Sequence, residues 1–139
     1  MQRLLAALCA SAALLGATGT AAAHETVLPT TVAITETGDP DPREVTVSGT
    51  LTAPAACRAG REIEVLARYG EWTHRHVWAP GPWGLLGMVD AEADGTLAAT
   101  LDRPTLWSMK FRVPRARVGS RGHRHICAGD AAGMSFQLA

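Results

Sequence analysis

Most of the chemistry open to the side chains of this 139-residue protein lies with its five histidines. Four of them fall in two copies of one tripeptide, His74-Arg75-His76 and His123-Arg124-His125. Residues two apart on a strand share a face, so each copy could present two imidazoles to one ion. If the two strands were neighbours, His74, His76, His123 and His125 would offer four nitrogens, a set suited to zinc or copper. The fifth, His24, could chelate copper through ring and amine if it were amino-terminal. A structural reading competes and is preferred. His123 and His125 have the parity of Cys127 and so point inward on a regular strand, while His74 and His76 decorate a loop. No cofactor is expected.

Trp72, Trp78 and Trp83 are threaded through a segment, 72–83, that also holds Pro80, Gly81 and Pro82. Flat aromatic rings of this kind suit a platform for a sugar or a protein partner. Trp107 sits instead in an alternating series and is expected in the core. Asp90-x-Glu92-x-Asp94-Gly95 begins like a calcium loop, but Leu101 stands where the bidentate glutamate belongs and no helices flank it, so a tight turn is expected. Ser108, Ser120 and Ser135 lie in no nucleophile-elbow context and there is no glycine-rich phosphate loop, so catalysis is not expected.

Charge adds an exclusion. The chain carries 13 basic and 13 acidic residues, and the arginines between Arg103 and Arg124 are interrupted and offset by acids elsewhere. A nucleic-acid partner needs concentrated positive charge, which is absent here.

These groups have to be positioned by an exported chain. Met1-Gln2-Arg3, an apolar run from Leu4 to Leu15 and a small-residue stretch ending Ala21-Ala22-Ala23 read as a signal peptide over 1–23. Cys9 lies within its apolar run and is discarded with it. Residues 24–139 then form one domain, secreted or held in the periplasm or cell envelope, with no membrane insertion after cleavage. Two cysteines remain, Cys57 and Cys127, and in an exported chain they are expected to pair.

The apolar pattern has period two almost throughout. Val45, Val47 and Leu51 alternate with polar groups, as do Ile63, Val65 and Ala67, and again Trp107, Met109, Phe111 and Val113. Residues 36–43 read as a turn-rich connector, Asp94-Gly95 as the turn of a hairpin, 114–122 as a basic connector, and 129–133 as a turn before a last strand over 134–138. With no convincing helix, seven or eight short strands predict an all-β immunoglobulin-like β-sandwich with Greek-key connections.

The chain resembles exported bacterial immunoglobulin-like or transthyretin-like modules. The resemblance rests on Cys57-x-x-Gly60-Arg61-x-Ile63-x-Val65, on Val89 through Thr96, on Met109-Lys110-Phe111-Arg112-Val113, and on Cys127 ahead of Ser135-Phe136-Gln137-Leu138. It covers roughly residues 44–139. It implies a small sandwich with a disulfide near its two ends, acting as a non-catalytic stalk, spacer or interaction module. The segment between Arg68 and Leu85 departs from a simple strand connection and is the expected binding region. The expected partner is a protein or glycan at the cell surface, and the expected state is a monomer. A copper- or zinc-binding envelope protein using the paired histidines is the alternative.

Overall fold

The computed structural model describes residues 25–120 and 122–136, with only the backbone considered at Pro40. The expected signal peptide, His24 and Leu138 lie outside the described residues. Pro29 separates two strands at the start, β1 (Thr26–Leu28) and β2 (Thr31–Asp41), and β3 (Glu44–Thr52) follows. One helical turn, α1 (Ala55–Arg58), carries Cys57 into β4 (Glu62–Trp72). Then come β5 (Trp78–Pro80), β6 (Gly84–Asp90), β7 (Thr96–Asp102) and β8 (Leu106–Val113). The order closes with β9 (Ala116–Ser120), β10 (His123–Cys127) and β11 (Asp130–Ser135).

The all-β expectation holds, with eleven strands among the described residues rather than seven or eight. One sheet runs β2-β3-β7, a second runs β11-β8-β4, with both β5 and β6 on the far side of β4, and a third runs β1-β10-β9. The first two sheets share one core. Val45, Val47, Leu51, Leu97 and Leu101 come from one side, and Ile63, Val65, Met109, Phe111 and Val113 from the other. Gly49 is placed where the alternation would put a side chain in this core. A Cβ there would stand 2.7 Å from the Ala33 carbonyl and 3.2 Å from the Phe111 ring, so glycine leaves the space that Phe111 fills.

Several local expectations are corrected. Residues 36–43 are mostly strand, because β2 continues to Asp41 through irregularities after Ile34 and Gly38 that take its proline out of the ladder. Asp94-Gly95 does not close a hairpin: β6 pairs with β4 and β7 with β3, so this turn carries the chain from one sheet to the other. Gly95 adopts φ 92° and its carbonyl accepts a hydrogen bond from Leu51 N at 2.7 Å, which docks the turn on the end of β3. The basic connector contains β9, and the expected turn at 129–133 is mostly β11, paired with β8 from Asp130 to Ser135.

Trp107 is also corrected. A bulge pairs Arg68 with Ser108 and Tyr69 with Leu106, leaving Trp107 as the extra residue. The parity of β8 reverses there, so Leu106 is buried at 1% exposure and Trp107 is only half-buried.

The expected disulfide is formed. Cys57 and Cys127 are bonded with their Cα atoms 5.5 Å apart, joining α1 to β10 across 70 residues. Beside it lies Arg61, a buried cation. Its Nη2 donates to the carbonyls of Pro114 at 2.5 Å and Ala128 at 3.1 Å, with Cys127 O at 3.4 Å, and no described carboxylate pairs with it. Burial lowers its pKa from the ordinary arginine value.

Candidate functional site

The segment after β4 folds as a hairpin. Trp72 pairs with Trp78 and Gly70 with Pro80, and the chain reverses over residues 73–77. Thr73 N donates to Val77 O at 3.0 Å, His76 N to Thr73 O at 2.9 Å, and His76 takes φ 56°. His74-Arg75-His76 is therefore a turn, and strand parity does not apply to it. The second copy, His123 to His125, is on β10 in another sheet. His123 is exposed, while His125 is half-buried with its Nδ1 enclosed and without a hydrogen-bond partner among the described residues. The two copies occupy elements that are not neighbours in any sheet, and no group of three or more His, Cys, Asp or Glu side chains among the described residues is arranged to hold a metal.

Asp94 is engaged within its turn. Its Oδ1 accepts from Thr96 N at 2.9 Å and from Thr96 Oγ1 at 2.7 Å, and these bonds hold its carboxyl below the ordinary value.

The three tryptophans differ in role. Trp72 and Trp78 meet edge to face, with centroids 5.5 Å apart. Trp78 is half-buried and its indole covers Gly70, where any Cβ would run into the ring. Trp72 is 70% exposed and is free to contact a partner. Trp83 precedes β6 and lies on the outer face of the β11-β8-β4 sheet, with Lys110 Nζ 4.3 Å and Arg68 Cζ 5.0 Å from its ring centroid.

Exposed apolar groups concentrate around these rings. Of seven large hydrophobic residues exposed among those described, six belong to this segment: Trp72, Val77, Trp83, Leu85, Leu86 and Met88. Leu85, Leu86 and Met88 belong to β6, which among the described residues pairs with β4 alone, leaving its other ladder edge open there.

Next to Trp83 the sheet forms a groove of about 420 Å³, lined also by Arg68, Ser108, Lys110, Gly133 and Ser135. The register explains the assembly. Arg68, Ser108 and Ser135 form one row across β4, β8 and β11, and Leu66, Lys110 and Gly133 form the next. Ser108 Oγ and Ser135 Oγ lie 3.2 Å apart and share a hydrogen bond. A Cβ on Gly133 would stand 3.1 Å from Lys110 Cβ, so the glycine keeps the groove open.

The charge of this face is uneven. Arg112 pairs with Glu64, which raises the arginine's pKa through their hydrogen bond. Arg68 and Lys110 join none of the ion pairs among the described residues, and Arg68 Nε is buried without an acceptor there. Sequence reasoning gave Arg68 and Lys110 no binding role and set Ser108 and Ser135 aside as nucleophiles. Their outward parity is readable on each strand, but the register that gathers strands 40 residues apart is not.

No family model matches the chain, and comparison with curated proteins and with solved structures gives no match. No helix among the described residues is long and apolar enough to cross a membrane.

Proposed function

We propose that this protein is an exported, non-catalytic binding module of immunoglobulin-like fold that engages a glycan or protein at the cell envelope through its tryptophan-rich edge. The observation that carries the reading is the concentration of exposed apolar side chains between Trp72 and Met88, a segment that holds six of the seven exposed large hydrophobic residues among those described. Exposed apolar surface gathered in one region marks interaction sites. The strand order supports the fold class. With β1, β5, β9 and β10 set aside, the first, second and fifth of the seven remaining strands share one sheet and the third, sixth and seventh the other, as in immunoglobulin-like domains, while the fourth, β6, pairs with the third instead of joining the first sheet as in the constant type. The disulfide and the signal-like segment at 1–23 support export.

The test is binding by the disulfide-intact protein to a glycan array and cross-linking to envelope proteins, repeated with Trp72→Ala. Trp72 is mostly solvent-exposed, so the substitution is expected to leave the circular dichroism spectrum unchanged while binding falls about tenfold or more, as for an aromatic anchor. Binding that is indifferent to Trp72→Ala and to Trp83→Ala, or no binding in either assay, would overturn the reading.

A further inference from the structure

We propose that the groove beside Trp83 binds the acidic group of a saccharide, with Arg68 and Lys110 as the charged contacts and Ser135 as the hydroxyl contact. The inference deepens the binding-module reading and rests on it. Three features of the groove converge on an anionic ligand. Arg68 and Lys110 lie against one indole, which orders both heads without neutralising either charge. No described carboxylate pairs with them, whereas the neighbouring Arg112 on the same face is paired with Glu64. The Nε of Arg68 is buried without an acceptor among the described residues, and an enclosed donor of a charged group gains most from an acceptor brought by a ligand.

The rest of the groove selects the carrier. Exposed Ser135 provides a hydroxyl that both donates and accepts, matching the hydroxyls of a sugar ring, and buried Ser108 holds it in place through their shared hydrogen bond. Ala131 and Gly133 leave the floor low, and a Cβ on Gly133 would crowd Lys110. The groove lies on the face of the sheet, where ladder bonds are already made. An extended acidic peptide would gain none of the backbone bonds it forms at a sheet edge, so a saccharide is the better occupant.

Oligogalacturonate, its neutral methyl ester of equal length and polyglutamate serve as probes of the disulfide-intact protein, by calorimetry and tryptophan fluorescence. Oligogalacturonate is expected to bind and change the fluorescence, with affinity falling as salt is raised. The ester is expected to bind about tenfold more weakly, and Lys110→Gln and Arg68→Gln each to lose about tenfold, with Lys110→Arg retaining binding. Unchanged thermal unfolding in Lys110→Gln separates lost contact from lost fold. Equal binding of acid and ester, binding of polyglutamate alone, or no binding of oligogalacturonate would overturn the inference. A glycan or protein partner still lost in Trp72→Ala under those outcomes would leave the binding-module reading standing.

Discussion

Arg61 shows how one side chain can close a part of the fold that apolar packing does not. Arg61 is 6% exposed and its guanidinium faces backbone carbonyls at the ends of β8 and β10, so one residue joins the start of β4 to both strand exits. Replacing it by leucine removes the donors and leaves buried carbonyls unpaired, at a cost of about 1–3 kcal/mol for each group left unsatisfied. Arg61→Leu is expected to lower unfolding free energy in urea by about 3 kcal/mol, and a loss below about 0.5 kcal/mol, the scale of an ordinary surface change, would refute that role. The groove cations make the opposite case. Arg68 and Lys110 keep their charge available because an aromatic ring, not a carboxylate, orders them.

At the scale of elements, the β6–β7 connection is one of three that carry the chain between the two sheets, with β3–β4 and β7–β8. Asp94 caps the turn by accepting two hydrogen bonds from Thr96, which depresses its pKa below the ordinary 3.8. A carboxyl whose pKa is lower in the folded chain contributes stability that is present above its unfolded pKa and is lost as pH falls through the folded value. The native protein is therefore expected to lose melting temperature below about pH 4, and Asp94→Asn to show a shallower loss over that range. Identical acid limbs for the two proteins would refute this contribution. The same turn also shows why Asp94-Gly95 misleads as a hairpin signal. The local geometry that suits a two-strand reversal serves equally well for a crossing between sheets, and long-range pairing chooses between them.

For the whole molecule, the Cys57–Cys127 bond ties the small β1-β10-β9 sheet to the entrance of β4. Closing a loop of 70 residues restricts the unfolded chain and contributes about 4 kcal/mol in the chain-entropy account. Paired replacement, Cys57→Ser with Cys127→Ser, is expected to reduce unfolding free energy by about that amount, measured by urea titration against the oxidised protein. A difference under about 1 kcal/mol would show that the small sheet is held by other contacts. Because the groove lies on the β11-β8-β4 face, its ligand contacts are expected to survive in whatever fraction of the reduced protein stays folded.

The β character, the single cysteine pairing, and the core contributions of Ile63, Val65, Met109, Phe111 and Val113 were legible from residue order, because strand parity and cysteine number are local properties of the chain. So was the exceptional nature of residues 72–83. Tertiary structure decided the rest. A bulge placed Trp107 outside the core series, a tight turn removed His74 and His76 from strand parity, and two separate sheets kept the histidine pairs from being strand neighbours. Register across β4, β8 and β11 assembled Arg68, Ser108, Lys110 and Ser135 beside Trp83. The physical reason is common to all of these. Alternation sets which face a residue takes on its own strand, but bulges shift that parity and register depends on pairing with distant strands, so the grouping of side chains on a sheet face exists only once the sheet has formed.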